Sequence, residues 1–157
     1  MKVYLMRHGK PVSKEEDPDR PLSKEGRADV EKVADFLQKG ATKVDEIFHS
    51  GKTRARQTAE IMASRLNPGK EPQEKQGLAP LDDVNGAVRL IEEVGKDLLI
   101  AGHLPHLGKL ASLLVTHSES FPVIRFQQGG VACLVENEEG SWSVAWMLVP
   151  EIIMASD

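Results

Sequence analysis

A single cysteine in 157 residues, Cys133, leaves no partner for an internal disulfide and no thiolate set for a structural zinc site. It sits in the apolar run Val131, Ala132, Cys133, Leu134, Val135. Burial there makes it a packing residue rather than a reactive thiol. Aromatic residues are 4% of the chain, too few for the stacking platforms of single-strand nucleic-acid binders. No stretch approaches the about 20 apolar residues of a membrane-spanning helix. The opening MKVYLMRHG meets Arg7 before a signal-peptide core can form, so the expected location is cytoplasmic, with no membrane partner. An excess of positive charge is also missing. Twenty Lys and Arg against 24 Asp and Glu give a net charge of −4, so nothing draws the whole chain to nucleic acid. Any anion it binds must be held locally.

What is present is ordinary for a folded domain: 40% hydrophobic and 28% charged residues. A chain of this length buries roughly 70% of its unfolded surface on folding. With no repeat, low-complexity tract or linker, one domain spanning 1–157 is expected.

Lys2 to Met6 reads as a buried strand that stops at Arg7-His8-Gly9. The Lys10–Pro21 segment, with three prolines and several acids, reads as a polar loop. Ser23 is placed to cap a helix with Val30, Val33, Ala34 and Leu37 at helical spacing and Gly40 at its end. Val44–His49 reads as a second strand. Three further helical patterns follow: Ala59, Met62, Ala63, Leu66; Val84, Ala87, Val88, Ile91; and Leu107, Leu110, Ala111, Leu114. Between the last two, Asp97–Ala101 is apolar enough for a strand covered on both faces. Strands alternating with helices predict an α/β fold with a mostly parallel central sheet and helices on both faces. Gly130–Glu136 and Ser141–Leu148, joined by Asn137–Gly140, predict an antiparallel edge hairpin at the C-terminus. Trp142 and Trp146, four apart, would lie on one face of that strand.

In open α/β sheets, ligands bind beyond the carboxyl ends of the strands. Three segments fall there: Arg7-His8-Gly9, Ser50-Gly51-Lys52-Thr53-Arg54 and Gly102-His103. Arginine's fork of donors matches phosphate oxygens, and helix N-termini after His49 and Gly102 would add backbone N–H groups. Gly9 permits close backbone approach, and a neutral His8 imidazole has a lone pair to offer phosphorus. Guanidinium charge nearby would keep His8 unprotonated. Arg56, beside Arg54, is expected to face solvent. His103 and His106 have a spacing open to a metal, but Arg7 and Arg54 would repel a cation, and no metal or other cofactor is expected. His49 and His117 read as packing or surface residues.

These residues resemble the histidine phosphatase (phosphoglycerate mutase-like) superfamily. The resemblance rests on Arg7-His8-Gly9, on Arg54-Ala55-Arg56-Gln57-Thr58 and on Gly102-His103, in that order along nearly the whole chain. More narrowly, Arg20-Pro21-Leu22-Ser23 with Gly26, and His103-Leu104-Pro105 with Gly108, are similar to the short bacterial SixA-type phosphohistidine phosphatases. The resemblance implies that His8 is a nucleophile passing through a phosphohistidine intermediate. It implies that Arg7, Arg54 and His103 hold the equatorial oxygens, and that Arg20 contributes to the phosphate pocket. Gly9 and Ser50 are counted with the substrate-binding groups. For Arg20, a plain surface pairing with Asp17 or Asp19 is the alternative.

Two departures stand out. Many members carry an acid that protonates an alcohol leaving group, and here Gly77 stands at the corresponding place. Asp82 is the candidate substitute, with Asp83 a neighbour equally suited to capping the next helix. Gly51 stands where proline is frequent, which would loosen a turn. A missing acid favours an imidazole over an alkoxide leaving group. A chain filled by core elements leaves no material for a cap insertion. The expected substrate is therefore phosphohistidine on a protein such as a histidine-containing phosphotransfer domain, with phosphate as product. A small-molecule phosphomonoesterase and a non-catalytic phosphate-binding module are the alternatives.

Overall fold

Strand β1 (Lys2–Arg7) alternates its side chains between two apolar layers, Val3 and Leu5 into one and Tyr4 and Met6 into the other. The computed structural model describes residues 1–154. Its remaining elements are α1 (Lys24–Lys39), β2 (Glu46–His49), α2 (Thr53–Leu66), β3 (Gln73–Glu74), α3 (Asn85–Val94), β4 (Leu98–Gly102), α4 (His106–Thr116), β5 (Val131–Glu136) and β6 (Trp142–Leu148), followed by a 3-10 turn at Pro150–Ile152. The six strands form one sheet in the order β3-β2-β4-β1-β5-β6. β1, β2, β3 and β4 pair in parallel, whereas β5 and β6 pair antiparallel at one edge. This is the α/β architecture expected from the sequence.

Helices cover both faces. Val30, Val33 and Leu37 of α1 and Ala59, Met62 and Leu66 of α2 pack with Tyr4, Met6, Leu99 and Ala101. Ala87 and Ile91 of α3 and Leu107, Leu110 and Leu114 of α4 pack on the other side with Val3, Leu5, Leu98 and Ile100. All five residues of β4 are buried, the consequence of helices on both sides. The Ser23 hydroxyl caps α1 by accepting the Gly26 N–H at 3.0 Å and donates to the Lys10 carbonyl at 2.9 Å. Gly26 is required where α1 crosses the polar loop, because a Cβ there would lie 2.1 Å from the Lys10 carbonyl oxygen.

Two local features differ from the sequence reading. β3, two exposed residues paired to β2, has no periodic signal to reveal it. The two tryptophans do not share a face. Cys133 pairs with Trp146 and Leu134 with Val144, so Ala145 is an extra residue at a β-bulge. The inserted residue reverses the alternation: Trp142 packs toward Val3 and Leu5, whereas Trp146 meets Tyr4 at 5.9 Å between ring centroids.

Candidate active site

The parallel register makes the strand ends level. Met6 and His49 both stand opposite Ala101, and Arg7 stands opposite Gly102. The His8 N–H extends the ladder by donating to the Gly102 carbonyl at 3.0 Å. Whatever follows each strand is therefore delivered to one place. His8 and His103 lie 5.1 Å apart between ring centroids, and the Ser50 hydroxyl is 2.6 Å from His103 Nε2. From the antiparallel side, Gly130 accepts the Arg7 N–H at 3.2 Å, and the Gly129 N–H donates to the Arg7 carbonyl at 3.0 Å.

His8 Nδ1 lies 2.7 Å from the Gly9 carbonyl. A carbonyl only accepts, so Nδ1 carries the proton and Nε2 keeps its lone pair. Burial pulls the His8 pKa down to about 4, against the Gly9 carbonyl, and Arg54, Arg7 and Arg20 lower it further. Burial thus outweighs the guanidinium charge that the sequence pointed to. His103 is lowered to about 3 by burial and then by His8, Arg54 and Lys52. Both imidazoles are neutral at ordinary pH.

Gly9 fits a space that no side chain could share. A Cβ there would be 2.8 Å from Val30 Cγ2 and 2.9 Å from the Gly26 carbonyl oxygen. Its N–H donates to Thr58 Oγ1 at 3.1 Å, and the Thr58 hydroxyl donates to the Arg54 carbonyl at 2.8 Å. Thr58 is fully buried and ties the His8 loop to the first turn of α2. The sequence reading used Thr58 only as part of a motif. Its position four residues after Arg54, one helical turn on, was the available signal.

Three guanidinium groups share this end of the sheet. Arg7 Nη1 donates to the Phe126 carbonyl at 3.3 Å, while its buried Nε has no partner. Arg20, held at a left-handed φ of 48°, donates from Nε to the Val12 carbonyl at 3.2 Å. Among the described residues, the alternative pairing of Arg20 with Asp17 or Asp19 does not form. Asp17 instead accepts the Asp19 N–H on its carboxylate and the Arg20 N–H on its carbonyl. Among the described residues none of Arg7, Arg20 and Arg54 meets a carboxylate within 4.0 Å, whereas Arg56 pairs outward with Glu60 at 3.0 Å. Burial lowers the pKa of Arg7 and Arg54, and Arg20 lowers Arg54 further. Half-buried cations without carboxylate partners form a site suited to an anion.

A cleft of about 590 Å³ adjoins this pocket, lined among others by Ser50, Glu74, Gly77, Asp82, Asp83 and Arg89. Asp82 accepts the Ala79 N–H at 2.9 Å, and Asp83 accepts from the Asn85 backbone and side chain, both at 2.9 Å. Both carboxylates thus serve their own turns. Gly51 does not loosen its turn. It has φ 92°, closed to proline, and its N–H donates to His49 Nδ1 at 3.0 Å. A Cβ on Gly51 would fall 1.8 Å from Glu74 Oε1, so the glycine makes room for that carboxylate. The sequence reading did not single out Glu74. His106, at the start of α4, is buried with neither ring nitrogen in a well-formed hydrogen bond.

The family model described as "Histidine phosphatase superfamily (branch 1)" matches residues 3–83. An uncharacterized protein of Picosynechococcus sp. is 37% identical over 121 residues, 73% of each chain. The phosphohistidine phosphatase SixA of Escherichia coli is 26% identical over 155 residues, 96% of this chain and 94% of that one. Among solved structures, the protein histidine phosphatase SixA complexed with tungstate superposes with a TM-score of 0.82 at 25% identity, covering 96% of this chain and 97% of the other. A phosphoserine phosphatase from Entamoeba histolytica, 16% identical over 93% of this chain and 95% of its own, shares the fold with a TM-score of 0.70.

Proposed function

Because the chain belongs to the histidine phosphatase superfamily (branch 1), we propose that it is a metal-independent phosphatase that removes the phosphoryl group from phosphohistidine on a partner protein. The observation that carries this reading is the pairing of a free His8 Nε2 lone pair with three arginines that have no carboxylate partner among the described residues. In the first step Nε2 attacks phosphorus in line with the departing nitrogen. Arg7, Arg54 and His103, with Arg20 at the rim, hold the phosphoryl oxygens as charge redistributes. The Ser50 hydroxyl completes the pocket wall, and Gly9, packed against α1 and not turned to the ligand as the sequence suggested, serves the site by accepting from His8 Nδ1. Water then hydrolyses the phosphohistidine formed on His8, and the product is inorganic phosphate. The arginine cluster supplies the charge stabilisation for which other phosphoryl-transfer sites use a divalent cation.

The substrate follows from the leaving-group side. Gly77 has no side chain, and Asp82 and Asp83 are engaged by backbone N–H groups, which suits a leaving group that needs no strong acid. The relative called phosphohistidine phosphatase SixA supports the same class. The partner is then a histidine-containing phosphotransfer domain or a similar phosphorylated protein, and its setting a cytoplasmic signalling relay.

The test compares a phosphohistidine protein with p-nitrophenyl phosphate and small phosphate esters, using wild type and His8→Ala in the presence of excess chelator. Turnover of the phosphohistidine protein by wild type alone, unaffected by chelator, is expected. Rapid ester turnover without phosphohistidine activity would establish a small-molecule phosphatase instead, and loss of activity on chelation would overturn metal independence.

A further inference from the structure

Glu74 has no place in the phosphate pocket, yet the backbone is shaped around it. It stands at the end of β3, beside β2, and pairs in register with His49, the residue before Ser50. Gly51 accepts a left-handed φ and gives up its side chain where the Glu74 carboxylate lies. Glu74 and Ser50 line the same cleft, and the Ser50 hydroxyl touches His103. The other charged groups around the cleft are accounted for or of opposite sign. Asp82 and Asp83 accept backbone N–H groups, Lys75 lies over the Phe48 ring at 5.1 Å, and Arg89 stands on α3. The Glu74 carboxylate makes no side-chain hydrogen bond and no ion pair within 4.0 Å among the described residues, and the titratable group its charge acts on is the buried His49 ring, which burial holds below its ordinary pKa. A carboxylate without an ion-pair partner thus lines the cleft that Ser50 shares with the phosphate pocket.

We propose, building on the phosphohistidine reading, that the Glu74 carboxylate accepts a hydrogen bond from the remote ring N–H of the substrate's phosphoimidazole and thereby selects imidazole as the leaving group. A phosphorylated imidazole carries phosphorus on one nitrogen. When the other nitrogen is unprotonated, the departing ring is an imidazolate, a poor leaving group. When it is protonated, the ring departs as neutral imidazole. As the bond from His8 Nε2 to phosphorus forms, the old P–N bond breaks and its electron pair stays on the substrate nitrogen. The remote proton remains where it was, and Glu74 stays a carboxylate throughout. A carboxylate in contact with that N–H favours the protonated, reactive ring. It offers nothing to an alkoxide leaving group and repels an anionic one such as a carboxylated sugar acid.

The measurement is kcat/KM for wild type and Glu74→Gln on phosphoimidazole and on p-nitrophenyl phosphate, whose phenolate departs without a proton and has no N–H. Glutamine keeps the shape against Gly51 and removes the charge. The expected result is a loss of about tenfold on phosphoimidazole, the scale of one charge-assisted hydrogen bond, with p-nitrophenyl phosphate unchanged within about twofold. The high-pH fall of the phosphoimidazole profile should also move to lower pH in the variant. Glu74→Ala should give the same split. Equal losses on both compounds, or no loss on either, would overturn the proposal. Wild type that hydrolyses p-nitrophenyl phosphate but neither phosphoimidazole nor a phosphohistidine protein would sink the phosphohistidine reading, and Glu74's role with it. Wild type active on phosphoimidazole with Glu74→Gln unaffected would sink only the role of Glu74.

Discussion

The Ser50 hydroxyl and His103 Nε2, 2.6 Å apart, join the end of β2 to the end of β4 at the lip of the phosphate pocket. His103 Nδ1 is buried without a partner, so this bond is the polar contact that fixes the ring's rotation. Ser50→Ala should therefore lower kcat/KM by about tenfold, on the scale of one lost hydrogen bond that positions the ring. Ser50→Thr, which keeps the hydroxyl, should recover most of the activity. Steady-state kinetics on p-nitrophenyl phosphate with the three proteins checks this, and a Ser50→Ala variant as active as wild type would remove the serine from the site.

Arg54 separates affinity from stability. Burial and the nearby Arg20 guanidinium disfavour the Arg54 charge, and no carboxylate neutralises either arginine among the described residues. The folded protein thus holds a repulsion that only a bound oxyanion relieves. Arg54→Gln should weaken inhibition by vanadate or tungstate by roughly thirtyfold, about 2 kcal/mol of charge-assisted contact, while the ligand-free Tm stays level or rises. Thermal melts with and without oxyanion read both effects. A large fall in the ligand-free Tm would mean that Arg54 serves the fold instead.

The histidines set an acid limit on stability. His8 is lowered to about 4 and His103 to about 3, and burial lowers His49 and His106 as well. Between these values and the unfolded value of about 6.5, the unfolded chain binds protons that the folded one does not, so stability rises with pH through that interval. The stability is complete above about pH 6.5 and is lost as pH falls toward about 4. Urea midpoints should decline steadily from pH 7 to pH 4.5, and His8→Ala should flatten part of that decline. For the same reason, kcat/KM should show no acid limb near 6.5 from His8. A limb at that pH which vanishes when only free enzyme is titrated would belong to the substrate.

The elements and the pocket were legible in the sequence to different degrees. β1 and β4 are buried on both faces, so their apolar runs stand out, and α1 shows both its period and its Ser23 cap. His8, Arg7, Arg54 and His103 were readable because each follows a recognisable strand or opens a recognisable helix, and level strand ends bring them together. The β6 face was misread because a bulge at Ala145 inserts a residue without any mark in local composition. Glu74 was invisible for a related reason. Its strand is two exposed residues long, and its significance lies in a backbone angle at Gly51, 23 positions earlier, that no spacing rule encodes.

Thr58 is where fold and site depend on a single hydroxyl. Its oxygen accepts the Gly9 N–H and donates to the Arg54 carbonyl, at a position fully closed to water. Thr58→Val keeps the volume and the β-branch but strands one donor in the interior and removes the only link between the His8 loop and the Arg54 turn that this side chain makes. The stranded N–H should cost about 2 kcal/mol, a fall in Tm of roughly 5 °C for a chain of this size. Because the two groups it ties carry the proposed nucleophile and an oxyanion ligand, kcat should fall together with stability, and bound vanadate should recover less Tm than in wild type. Thr58→Ser, with the hydroxyl retained, should lose about 1 kcal/mol from the missing methyl group while keeping kcat. If valine and serine behave alike in both melts and kinetics, the hydroxyl is not the connection between the two loops, and the pocket owes its geometry to packing around Val30 and Gly26 instead.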